Sequence, residues 1–154
     1  DYHVRQLMKQ PRMIMGYFRF AITGAFAGKQ LVEWGANWRS RLLKRPYGDQ
    51  GLFLRKKDFF EIKGFPAVPI LEDVFLVRQA RARGNIACTD IALPTSGRRW
   101  RKYGVIRTTI LNQTILIAAC LGADLDQLKD AYREGKNPLS ALLRNACGSK
   151  PDRC

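Results

Sequence analysis

Apolar positions along the chain fall into strand-like and helix-like stretches. Between Met13 and Ile22 the β-formers Ile14, Tyr17, Phe18, Phe20 and Ile22 crowd into one run, which predicts a strand ended by Gly24 to Gly28. From Lys29 to Lys44, Leu31, Trp34, Trp38 and Leu42 recur at helical spacing, so an amphipathic helix is expected there. Arg39, Arg41 and Lys44 gather toward its C-terminal end, where cations suit the helix dipole, and Pro46 stops it. Leu52 to Arg55 reads as a short strand, and Lys57 to Ile62 as a short helix closed by Lys63-Gly64. A further helix opens at Glu72-Asp73 and runs to Arg83, where Gly84 ends it. Asn85 to Leu93 then reads as a strand and Pro94 to Gly97 as a turn. Lys102 to Leu121 is expected to be one long apolar helix, and Leu125 to Arg133 a polar one. Strands alternating with helices point to an α/β layered domain without internal repeats. The expected division is a sheet-bearing part over residues 1–100, helices over 101–134 and a flexible tail over 135–154.

Charge narrows the choice of partner. Lys and Arg number 27 against 13 acids in 154 residues, a net charge of +14. Such a balance favours an anionic partner, whether nucleic acid, an anionic membrane surface or a phosphorylated small molecule, over a merely soluble basic protein. Hydrophobic content of 46% is ordinary for a globular chain and argues against extended disorder. Cys88, Cys120, Cys147 and Cys154 are scattered without a C-x-x-C pair, and His3 is the single histidine. A zinc site is therefore not expected, and reduced thiols in a cytoplasmic setting are. His-based acid–base chemistry would depend on a residue beside the terminus. The chain opens on Asp1-Tyr2-His3 rather than on Met, as a piece of something longer would. Val105 to Leu121 contains Arg107, Asn112, Gln113 and Thr114, so it falls short of the roughly 18 apolar residues of a spanning helix. Packing in a core or interface is the expectation for it. The second expectation is interfacial contact, with Arg98, Arg99, Arg101 and Lys102 near anionic head groups.

The residues that bear on chemistry are polar ones set in loops. Gly64-Phe65-Pro66-Ala67-Val68-Pro69-Ile70-Leu71 leads directly into Glu72-Asp73. A carboxylate at a helix start can act as a general base, with the first-turn N–H groups favouring its anion, and it can equally be a helix-start acid. Ser96-Gly97-Arg98-Arg99-Trp100 sets arginine forks beside an indole, which suits either phosphate oxygens or stacked bases. Tyr47-Gly48-Asp49-Gln50-Gly51 is a turn whose glycines admit a close ligand. Asp49 and Gln50 could there bond hydroxyls, and an Asx turn explains the same letters. Asp124-Leu125-Asp126 matches a metal-binding Asp-x-Asp by letter, but it lies between two helices and reads as an N-cap.

These strings together carry a resemblance. Tyr47-Gly48-Asp49-Gln50-Gly51-Leu52-Phe53-Leu54-Arg55, then Gly64-Phe65-Pro66 with Leu71-Glu72-Asp73, then Ser96-Gly97-Arg98-Arg99-Trp100 resemble glycosyltransferase family 2. The branch they look most like is the one labelled arsenosugar-biosynthesis glycosyltransferases. Gly16-Tyr17-Phe18-Arg19-Phe20, Leu31-Val32-Glu33-Trp34-Gly35 and Arg107-Thr108-Thr109-Ile110-Leu111-Asn112 agree with it, so that roughly residues 12–134 are covered. The resemblance implies a GT-A fold, a Rossmann-like α/β sandwich that takes a nucleotide-sugar donor and a divalent metal, Mg or Mn. It implies an inverting transfer to an acceptor hydroxyl, with Asp73 of the Glu72-Asp73 pair as base. Arg99 and Trp100, beside Arg98, would line the acceptor and diphosphate side, and Gly48, Asp49 and Gln50 would lie near substrate. The front half of that fold, with the strand-borne Asp-x-Asp that holds the metal, is not in this chain, so its metal ligands are expected elsewhere. Ser96 stands where processive relatives carry Gln or Arg, which favours single-sugar transfer. The alternatives are a basic nucleic-acid-binding module and a peripheral membrane protein using Lys102 to Leu121.

Overall fold

A computed structural model describes residues 2–135. The tail expected over 135–154 lies outside them except for Gly135. The chain divides into two compact units. The first runs through Ala67 and again from Glu72 to Lys102, and the second comprises Val68–Leu71 and the residues from Tyr103 onward.

The first unit is a mixed α/β layer. Its centre is β1 (Met13–Thr23), where the β-forming run identified above lies. The short strand β2 (Phe53–Leu54) pairs with β1 antiparallel, Met15 opposite Leu54 and Gly16 opposite Phe53. On the other side β3 (Asn85–Ser96) runs parallel, from Met13 opposite Asn85 to Thr23 opposite Ser96, with two irregularities in register. The order β2-β1-β3 makes β3 an outer strand. A parallel pair requires a long crossover, and α2 (Lys29–Leu42), α3 (Lys56–Glu61) and α4 (Glu72–Arg83) lie within it. A further helix, α1 (Tyr2–Met8), has no counterpart in the apolar periodicity. The core of this unit comprises Met15, Ile62, Leu76, Val77, Ala80 and Ile86, so α4 faces inward through its apolar residues.

Two expectations are corrected here. Pro94 to Ser96 is strand, not turn, because β3 continues beside β1 as far as Thr23. Proline is admissible there since an outer strand has one edge that needs no ladder bond. The long helix expected over Lys102–Leu121 is broken into α5 (Arg98–Tyr103) and α6 (Val105–Cys120). Between them Gly104 adopts φ 81°, ψ 156°, a conformation open to glycine and closed to side-chain-bearing residues.

The second unit pairs α6 with α7 (Leu125–Glu134) around Ile115, Ala118, Ala123 and Leu128, with Ile70 and Leu71 packed on them. Asp124 is the N-cap of α7, its carboxylate accepting from the Gln127 amide at 2.9 Å, while Asp126 pairs with Lys129. The capping reading of Asp124-Leu125-Asp126 therefore holds. Among the described residues no helix is long and apolar enough to cross a membrane.

Candidate functional site

Gln50 builds the site from below. Buried Pro46 follows the end of α2, and Gly48–Gln50 then form a single 3-10 turn. Gln50 is fully buried: its Oε1 accepts from Ser40 Oγ at 2.6 Å and from the Tyr47 amide at 3.3 Å, and its Nε2 donates to Phe18 O at 3.4 Å. Tyr17, also buried, donates its hydroxyl to Ser40 O at 2.8 Å. The amide expected to meet a ligand's hydroxyls is thus a strut tying the turn to α2 and β1. With all its partners inside the fold, it sets the height at which Tyr47, Gly48 and Asp49 emerge.

Asp73 reaches the same turn from α4. Its Oδ2 accepts the Gly48 amide at 2.5 Å, and its Oδ1 accepts the amide of Val74 at 2.8 Å. Two residues that lie 25 positions apart in the sequence are thereby brought into direct contact. The fit is close: a Cβ on Gly48 would stand 3.1 Å from Asp73 Oδ2, so a side chain here would push the carboxylate back by a few tenths of an ångström. Glu72, the other half of the pair, points to solvent at the start of α4.

Arg39, on α2, completes the group. Its guanidinium carbon lies 3.6 Å from the centre of the Tyr47 ring, a cation–π geometry, and its Nε donates to Arg45 O at 3.2 Å. Burial pulls the Arg39 guanidinium below its usual value, opposed by Tyr47, Asp49 and Asp73 in that order. Burial likewise pushes the Tyr47 phenol up, against the pull of Arg39. The Asp49 carboxyl is pushed up to about 6, by the surrounding protein first and by Asp73 in addition, with Arg39 acting against both. Asp49 keeps an accessible outer side, so it has solvent on one flank and this charged cluster on the other. The turn thus carries a carboxyl with a raised pKa, Asp49, near a carboxylate held by two backbone amides, Asp73, and a guanidinium stacked on Tyr47.

The Arg98–Trp100 element sits at the start of α5. The Trp100 ring packs edge-on against Phe20, centroids 6.0 Å apart. The Phe20 backbone is held by Asn37 of α2, which accepts the Phe20 amide at 2.8 Å and donates to its carbonyl at 3.0 Å. Arg98 is exposed, Arg99 and Trp100 half-buried. Gly48, Asp49 and Asp73 are thus brought into one cluster, while Trp100 is tied to it through β1 and α2.

Arg39 and Tyr47 were not singled out by the sequence as site residues. Tyr47 stood inside a quoted string, but Arg39 stood as a cation on an amphipathic helix. The available signal was its place on the last turn of the helix, seven positions before a proline that leads into Tyr47-Gly48-Asp49. Among the described residues no group of three or more His, Cys, Asp or Glu side chains could hold a metal ion. The metal implied by the resemblance was expected to draw its ligands from outside this chain. No family model, curated protein or solved structure matches the chain.

Proposed function

We propose that this chain is the acceptor-side half of an inverting glycosyltransferase of the GT-A kind, moving one sugar from a nucleotide-sugar to an acceptor hydroxyl. The single observation that carries the reading is the Gly48 amide on Asp73, which puts the Asp49 turn and the start of α4 into one polar cluster with Arg39 and Tyr47.

In this reading Asp73 receives the proton of the acceptor hydroxyl as the acceptor oxygen attacks the anomeric carbon. The bond from that carbon to the diphosphate breaks on the opposite face, its electron pair leaves with the nucleotide diphosphate, and configuration inverts. The two amides on Asp73 hold its carboxylate in one orientation, so the proton is taken without side-chain rearrangement. Asp49 bonds the acceptor's hydroxyls from the facing turn. Arg39 keeps the two acids together on one cluster rather than letting them repel apart. Arg98 and Arg99 offer charge to the departing diphosphate, and Trp100 a flat apolar face to a sugar ring.

The test is Asp73→Asn in the intact protein, assayed by release of nucleoside diphosphate from a panel of nucleotide-sugars. Turnover should fall by about 10² to 10⁴-fold with an unchanged circular dichroism spectrum. Turnover equal to wild type would overturn the assignment. The competing nucleic-acid reading draws on the +14 charge and leaves the Asp49–Asp73 pair without a task. It requires binding that falls steeply with salt.

A further inference from the structure

Helix α2 presents its apolar stripe outward. Leu31, Trp34, Trp38 and Leu42 are 66%, 64%, 50% and 62% exposed, and the two indoles stack at 6.3 Å. The helix cannot roll this stripe inward, because its opposite side is pinned to β1. Glu33 accepts the Ile22 amide at 2.7 Å, Asn37 holds both backbone groups of Phe20, and Ser40 is tied to Gln50. Exposed large side chains in one row along a 14-residue helix, about 21 Å long, form a partner-facing surface.

We propose that this face docks on an anionic lipid surface, the helix lying in the plane of the head groups. Charge selects the occupant. Residues 29–45 carry Lys29, Arg39, Arg41, Lys44 and Arg45 against Glu33 alone, and that carboxylate is already engaged by Ile22 and Lys29. Arg39 is turned to Tyr47, but Arg41, Lys44 and Arg45 are exposed at the C-terminal end of the stripe. Arg19 joins Arg41, Trp34 and Trp38 along a shallow groove of about 510 Å³ on the stripe's flank. Indoles favour the boundary between hydrocarbon and water, leucines the hydrocarbon below it, and arginine and lysine the phosphates above it. A second copy of the chain would bring +14 against +14, which opposes association. A nucleic acid would use the indoles and the cations but would leave Leu31 and Leu42 in water. The contact lies on α2 rather than on the Lys102–Leu121 stretch considered from the sequence.

Sedimentation of the intact protein with phosphatidylglycerol vesicles, against phosphatidylcholine alone, tests the proposal, with tryptophan emission read in parallel. The expected result is binding to the anionic vesicles with a blue shift, weakening as salt is raised. The variant Trp34→Ala/Trp38→Ala should lower vesicle binding by at least about tenfold, and Leu31→Gln/Leu42→Gln should do so if the first variant fails to fold. Ile106→Gln/Ile110→Gln on α6 should leave binding unchanged. The proposal is overturned by vesicle binding that survives both α2 variants, or by loss of binding in the α6 variant. A stable dimer whose emission is already blue-shifted without vesicles would overturn it too, as would an oligonucleotide bound through the two tryptophans while vesicles are not.

Discussion

Helices α2 and α4 belong to the same unit and bury opposite kinds of face. Helix α4 turns Leu76, Val77 and Ala80 onto the core and leaves Arg78 and Arg81 outside, apolar side in and charged side out. Helix α2 turns Glu33, Asn37 and Ser40 inward and leaves two tryptophans and two leucines in the open. The difference lies in what each helix meets. Against α4 stand side chains such as Met15, Ile62 and Ile86. Against α2 stands backbone: β2 pairs with β1 at Met15 and Gly16, and the Phe20 and Ile22 amides beyond it still need partners. An unpaired buried amide costs about 1–3 kcal/mol, so a helix that completes a strand edge with side-chain oxygens can leave its apolar stripe outside.

Substitutions should therefore follow hydrophobicity on α4 and run opposite to it on α2. Leu76→Ala on α4, at a site 1% exposed, should cost about 3 kcal/mol in chemical denaturation, and a loss below about 1 kcal/mol would contradict its core placement. Asn37→Ala on α2 removes both bonds to Phe20 and should cost about 2 kcal/mol, far more than its small apolar area implies. If stability were unaffected, water would have to serve the Phe20 backbone equally well, and the comparison of faces would fail.

At the Asp49 turn, pH supplies a finer probe. The Asp49 carboxyl is pushed up from 3.8 to about 6, so the folded state holds its proton more tightly than the unfolded chain does. Its contribution to stability is present below about 4 and is lost as pH rises through about 6. Melting temperatures of wild type minus Asp49→Asn should accordingly decline across that window and level off above it. Parallel curves would mean that Asp49 stands in ordinary water. The smallest effect expected is that of Trp34→Ala on stability, within about 0.5 kcal/mol by denaturant titration, since its ring is 64% exposed. A loss of several kcal/mol there would mean that α2 packs through its indoles after all.

Much of the element order was legible because it rests on local chemistry. The strand at Met13, the helix starts at Lys29 and Glu72, and the Asp124 cap follow from side-chain period and from residues that bond their own neighbours. The break at Gly104 was less visible, since a glycine between two helix-forming runs can be spanned or can turn the chain. Of the site, Gly48, Asp49 and Asp73 were marked by their strings, but their contact was not, because it joins a turn to a helix start far along the chain. Gln50 and Arg39 exchanged the importance expected of them: the amide became a buried strut, and the arginine became the cation stacked on Tyr47.

The sequence by itself determined most of the strand and helix segments, the strongly basic character of the chain and the chemical types available to a site. Only the tertiary structure decided which face of α2 is buried, since that depends on the backbone groups β1 leaves unpaired. It alone decided, too, that the Asp49 carboxyl is pushed up to about 6, since desolvation by the surrounding protein and the charges of Asp73 and Arg39 are properties of packing rather than of spacing.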